Sequence, residues 1–239
     1  MQISTEKQAI QVATPYGGEV QKREDMTMDK HQFTQEQLQQ LSMERTPRGF
    51  VWHHDVVPGN MQLVESHVHR RTAHDTGYCN WPKMSEEMRL AELEEARKEM
   101  SERAGDPIQW GFVEPLKDRF LIKAFERQEQ VHFPEEYKAR VLRFNGAYPS
   151  KESFITENGT ITTMKCLLSF NKDSVESIWV LPDYFCADLK KQYVNFADDD
   201  NGNHICFDKN DLSVVWIDHE TEQIEKVAPD FGSVLNTLF

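Results

Sequence analysis

Large apolar side chains are scarce over residues 1–47, where glutamine and charged residues dominate and Gly17-Gly18 interrupts the chain. Such a stretch buries too little apolar surface to offset chain ordering, so it predicts mostly disorder, with one short helix through Gln35–Met43. Apolar residues thicken at 48–83 in two short runs, Phe50-Val-Trp52 and Met61-Gln-Leu-Val64, which read as extended segments of a small compact module. From Ser85 the period lengthens. Ser85-Glu-Glu-Met88 is a helix-start signature, and Leu90, Leu93, Ala96 and Met100 follow at helical spacing towards Gly105-Asp-Pro107. That stripe is narrow and eleven charged residues surround it, so the pattern predicts a solvated linker helix within 84–106, the alternative being a helix that lays its stripe on either module.

Residues 107–239 read as a second domain. Lys117–Gln130 predicts a helix with Phe120, Leu121, Ala124 and Phe125 inward. Phe133-Pro-Glu-Glu-Tyr-Lys138 places proline in the first turn of another helix, with acidic residues at its positive end; it runs through Ala139, Val141 and Leu142 to Asn145-Gly146. Alternating segments predict strands at Thr160–Leu168, Tyr193–Ala197, His204–Asp208 and Val214–Asp218, separated by turn clusters such as Asp199-Asp-Asn-Gly202 and Lys209-Asn-Asp211. Ala228 to Phe239 closes as an amphipathic helix. Helices flanking an antiparallel meander make the fold class α+β.

A chain of 239 residues exceeds the usual size of one domain, in keeping with two unlike units. The net charge of −13 is uneven: −1 over residues 1–83, −5 over 84–115 and −7 over 116–239. The acidity therefore lies outside the 48–83 module, which is close to neutral. The four cysteines, at 79, 166, 186 and 206, have neither zinc-knuckle nor disulfide spacing and suggest a reduced, cytoplasmic protein. No apolar run approaches a membrane span, and Met1-Gln-Ile-Ser-Thr-Glu-Lys7 lacks a signal peptide's apolar core, so no membrane partner is expected.

Five of the nine histidines fall between residues 50 and 78. His53 and His54 are neighbours on an extended segment, so their side chains face opposite sides and cannot share one job: one reads as a metal ligand, the other as a base. Joined by the later pair His69 and His74, they suit a divalent cation, Mg²⁺ or Zn²⁺, and an activated water in phosphodiester hydrolysis. Arg70 and Arg71 are the tight basic pair beside them and would hold a neighbouring phosphate. On a continuous helix, residues five apart lie about 140° apart around the axis, so His74 should leave the helix end, with Gly77 as the place to turn out.

Gly49 to about Trp81 resembles the HNH/endonuclease VII superfamily of ββα-metal nucleases, and within it the small toxin nucleases with a Trp-His-His signature. The residues that carry the likeness are Trp52-His-His54, Met61-Gln-Leu-Val64 and His69-x-x-x-x-His74. The resemblance implies His53, His69 and His74 as metal ligands and His54 as general base. It also implies Gln62 as an amide that steadies the loop holding the base. Where family members often run His-x-Gly-Gly, this chain reads His74-Asp-Thr-Gly-Tyr78.

Residues 116–239 resemble the SUKH superfamily (SMI1/KNR4-like), best known as bacterial immunity proteins against polymorphic toxins. The likeness rests on Phe133-Pro-x-x-Tyr-Lys138, Phe144-Asn-Gly-Ala-Tyr-Pro149 and Phe196-Ala-x-Asp-x-x-Gly-Asn-His-Ile-Cys-Phe-Asp208. Val215-Trp-Ile-Asp-His-Glu220 and the terminal Val227…Phe231…Leu235…Leu238 complete it in order. The usual Gly-Gly after the second helix is Gly146-Ala147 here. It implies a binding domain that blocks a nuclease and is not itself an enzyme.

Two local motifs read as structural. Placing Gly202 at the sixth position of a calcium loop puts Ala197 where the first carboxylate must be, so Asp198–Asn203 reads as a tight turn. Asp218-His219-Glu220 has no nucleophile or second histidine near it in sequence and reads as structural or partner-facing. The combined expectation is a toxin–immunity composite: a metal-dependent nuclease module acting on DNA or RNA, fused to a domain that binds a nuclease in cis or in trans. Two alternatives stand beside it. One is a pure immunity protein with an inert nuclease remnant; the other is a fusion whose tethered domain occludes the site.

Overall fold

The computed structural model describes residues 33–54, 61–70, 82–180 and 187–239. Readings that fell on His74, Arg71, Gly77, Cys79, Cys186 and residues 1–32 lie outside the described residues. Helix α1 (Gln35–Ser42) starts at a reciprocal cap: Gln37 N donates to Thr34 Oγ1 at 3.2 Å, and Thr34 N donates to Gln37 Oε1 at 2.8 Å. Strands β1 (Phe50–His54) and β2 (Met61–Glu65) pair antiparallel, with His53 opposite Gln62 and His54 opposite Met61. Helix α2 (Ser66–His69) follows β2 directly, completing a β-β-α order.

Helix α3 (Glu86–Glu102) begins where Met88 N meets Ser85 Oγ at 3.2 Å. It is more than a solvated linker. Leu93 and Ala96 are buried, and Leu93 lies against Gly159, where an added Cβ would come within 3.2 Å of its methyl. The centre of the stripe docks, with Leu93 on the C-terminal half, while Leu90 at its start is exposed with the other faces.

Beyond it come β3 (Trp110–Gly111), α4 (Phe120–Glu129) and α5 (Glu135–Phe144), then β4 (Tyr148–Pro149), β5 (Ser153–Ile155), β6 (Ile161–Thr163) and β7 (Cys166–Leu167). The chain ends with α6 (Ala187–Gln192), β8 (Tyr193–Asp198), β9 (His204–Asp208), β10 (Val214–Ile217), β11 (Ile224–Ala228) and α7 (Phe231–Thr237). Strands β7 to β11 form a five-stranded antiparallel meander in sequence order, and β3–β4 and β5–β6 are separate two-stranded pairs. The α+β class holds.

Three expectations need correcting. Thr160–Leu168 divides into β6 and β7 because its ends take different partners; between them Met164 N bonds Glu152 O at 2.7 Å and Lys165 N bonds Asp198 O at 2.9 Å. Helix α4 turns Ile122 and Phe125 inward and leaves Ala124 exposed and Phe120 64 % exposed, because Phe120 and Phe125, five apart, lie about 140° apart around the axis and cannot share the inner face. Helix α5 buries Tyr137 and Val141, and Leu142 faces solvent.

The helices close over one aromatic core. Phe125, Phe133, Tyr137, Phe170, Phe196, Phe207 and Phe231 are buried there, and the Phe196 and Phe207 rings stack at 4.3 Å. Each such pair contributes about 0.5–1.5 kcal/mol beyond area burial. Among the described residues no helix is long and apolar enough to cross a membrane.

Candidate functional site

The site is built from the root of β1 outward. Gly49 enters the strand at φ +82°, a conformation glycine takes without a Cβ penalty, and its N donates to Glu176 Oε1 at 2.9 Å. One residue on, Phe50 O accepts from Lys165 Nζ at 2.6 Å. Lys165 and Glu176 are both almost wholly buried and form an ion pair, joined by Arg48 Nη1 at 3.5 Å from Glu176 and by Cys166 Sγ at 3.1 Å. Burial opposes charge on both partners, but each holds the other charged. The Lys165 ammonium is raised above its usual range and the Glu176 carboxyl lowered below its own. A charged knot in the C-terminal half thus grips the first two residues of the hairpin.

A second tie lies at Arg45, whose Nη1 meets Glu152 Oε2 at 2.5 Å and whose Nη2 donates to Pro149 O at 2.6 Å. Burial, with Asp200 nearby, pushes the Glu152 carboxyl up to about 7 despite Arg45. The folded state therefore binds a proton here that the unfolded chain has already lost between about pH 4.5 and 7. Stability from this residue is full below the unfolded value and falls as pH rises through the folded one. Glu152→Gln should remove about 2 kcal/mol of that slope, allowing for screening of a side chain still 30 % exposed. Urea unfolding at pH 5 and pH 8 checks this; parallel profiles for the two proteins would refute it.

Further along β1, Trp52 N donates to Asp200 O at 2.8 Å, which lays the strand against the Asp198–Asn203 turn. The two adjacent histidines then part. His53 meets His69 of α2 with ring centroids 5.3 Å apart, whereas His54 Nδ1 lies 3.8 Å from Glu220 Oε1. His69 in turn meets His219 at 4.8 Å. His219 is held by Asn203, whose Oδ1 accepts from His219 N at 3.0 Å and lies 2.7 Å from His219 Nδ1. The approach requires Gly202: a Cβ there would stand 3.3 Å from the His69 ring, and its φ of +88° already disfavours a side chain.

Arg70, 9 % exposed, pairs with Asp198 Oδ2. The other oxygen of Asp198 accepts from Asn195 Nδ2 at 2.8 Å and lies 2.7 Å from His204 Nδ1, with His204 fully buried opposite it in the β8–β9 register. Burial works against the charge, but Arg70 and His204 outweigh it and hold the Asp198 carboxyl well below the carboxylate range. Asp199 staples the turn itself. Its Oδ1 accepts from Asn201 N at 2.9 Å and Asn203 N at 2.8 Å, and its Oδ2 from Trp216 Nε1 at 3.1 Å.

The fold thus brings His53 to His69 and places His54 and Arg70 beside them. Gln62 is exposed and, as the direct partner of His53, shares that residue's face of the hairpin, not the His54 side. His67 is a surface residue 3.2 Å from Glu65. Among the described residues no group of three metal-ligating side chains is placed to hold an ion, although His53, His69 and His219 adjoin in a row; the proposed third ligand, His74, lies outside them. Asp198, His204, His219 and Glu220 were missed as parts of this site. Asp218-His219-Glu220 has no second histidine near it in sequence, but His69 reaches it in space. The remaining signal was a pair of titratable residues, Asp198 and His204, flanking one hairpin turn in otherwise apolar strands.

Residues 121–237 match the model of the SMI1 / KNR4 family (SUKH-1). Residues 5–77 match that of the DNase/tRNase domain of colicin-like bacteriocins, a match that begins well ahead of the hairpin. No curated protein matches the chain. A nuclease-toxin type of segment therefore precedes a SUKH-type domain, and the pair supports a toxin–immunity composite.

Proposed function

We propose that the N-terminal part is a metal-dependent nuclease of HNH type and that the C-terminal domain is its immunity-type binding partner, engaged in cis. The observation that carries this reading is the parting of His53 and His54. Neighbouring side chains of the strand point to opposite faces, and the two imidazoles take different partners: His53 meets His69, while His54 meets Glu220. His53, His69 and His74 would hold a divalent cation, Mg²⁺ or Zn²⁺, which when bound supplies charge stabilisation at the phosphate and the leaving oxygen. His54 takes the proton from the attacking water, and Arg70 and Arg71 orient the neighbouring phosphate. The substrate is nucleic acid, DNA or RNA.

The test is cleavage of plasmid DNA and of structured RNA by the full chain, with each metal and with chelator, alongside metal titration of His69→Ala. Removing the outer partner of a ligand commonly costs about 10–100-fold in metal affinity, so loss of a ligand should cost at least that. Unchanged metal affinity in His69→Ala would remove it from the ligand set. Absence of cleavage with every metal, including in a chain whose site has been uncovered, would move the reading to a binding protein with an inert remnant.

A further inference from the structure

We propose that the surface made by Asp198, Gly202, His219 and Glu220 stands in for a nucleic-acid strand, so that the C-terminal domain and nucleic acid compete for Arg70 and the histidines. The proposal rests on the nuclease reading and adds how that site is regulated. Its first support is the way Asp198 is prepared. Asn195 and His204, both from the C-terminal domain, engage Oδ1, which leaves Oδ2 aimed at Arg70. An anionic oxygen presented to a guanidinium is the geometry of a phosphate contact. Second, Glu220 sets one carboxylate oxygen 3.8 Å from His54 Nδ1, the proposed base, and 3.9 Å from His219 Nε2. Third, Gly202 lets backbone lie on His69, and Asp200 O takes the Trp52 amide at 2.8 Å, so the 198–202 segment runs along the hairpin as a bound strand would. Two carboxylates and a backbone segment thus meet the phosphate-holding arginine, the proposed base and one proposed ligand together.

The experiment uses the full chain in chelator and follows anisotropy of a labelled short DNA duplex and a labelled RNA hairpin. Asp198→Asn keeps the oxygen that His204 and Asn195 use and removes the charge facing Arg70; Glu220→Gln does the same at His54. The double variant should bind at least one probe about tenfold or more tightly than the parent, since covering in cis acts as a competitor at an effective concentration of order mM. Arg70→Ala added to it should return binding to the parental level. Glu94→Gln/Glu95→Gln, on the exposed face of α3, makes the same change in net charge and should gain little. Near-UV circular dichroism checks each fold, and Glu220→Gln alone carries the test if Asp198→Asn fails to fold. Equal binding by parent and variants, or a gain indifferent to Arg70, overturns the proposal. Tighter, Arg70-dependent binding with no cleavage under any metal leaves the competition standing and defeats the nuclease reading. Cleavage by the parent as fast as by the variants, with equal binding, does the reverse.

Discussion

His54→Ala should lose about 10²- to 10⁴-fold in cleavage rate, the usual worth of a general base, while keeping its affinity for divalent metal. The asymmetry follows from the strand. His53 turns to His69, but His54 sits on the other side of the backbone, 3.8 Å from Glu220. The measurement belongs in the Asp198→Asn/Glu220→Gln background, so that a covered site does not hide the effect. Calorimetric metal titration and single-turnover rates should then separate. A parallel fall in both would show His54 to be a ligand, and full activity without it would end its role as base.

Glu176→Ala should destabilise the protein by about 3–5 kcal/mol, the cost of leaving a buried cation without its partner. For a chain of this size that is a fall of roughly 10 °C or more in melting temperature. Four groups depend on this carboxylate: the Lys165 ammonium, the Arg48 guanidinium, the Gly49 amide and the Cys166 thiol. Glu176→Gln retains an acceptor for Gly49 but no charge for Lys165, so it should fall between. Replacing Lys165 and Glu176 together with methionines should restore much of the loss, because the buried ammonium goes with its partner and Arg48 keeps Glu36 at 2.9 Å. The prediction has a structural corollary. Gly49 and Phe50 both hang on this knot, so β1 and β2 should show faster amide exchange in Glu176→Ala than the aromatic core does. A loss below about 1 kcal/mol would mean that water reaches Lys165 and the site is not dry.

Much of the fold was legible because local patterns carry it. Thr34 and Gln37, and Ser85 before Met88, are caps whose hydrogen bonds close within one turn, so sequence spacing alone specifies them. Short runs rich in β-branched and aromatic residues at Tyr193–Asp198, His204–Asp208 and Val214–Ile217, with Asp199-Asp-Asn-Gly202 between the first two, specify a meander, although burial on both faces leaves no alternation in the structure. The pair His53-His54 was equally legible, since a pleated strand must part them. Helix faces were less so. Phe120 is as apolar as Phe125, the two lie about 140° apart around the helix, and only packing decides which of them meets the core.

What the chain cannot state locally is which distant charges will share a dry space. Glu176 is 127 residues from Gly49, and Asp198 is 128 from Arg70. No periodicity links such pairs, because their attraction exists only once packing has excluded water and lowered the local dielectric. The histidine motif, its strand and the family likeness of each half were therefore properties of the sequence. That the acidic turns of the second half lie on the histidines of the first was decided by tertiary structure. Burial there turns Asp198, His219 and Glu220 from solvated turn residues into the immediate neighbours of Arg70, His69 and His54.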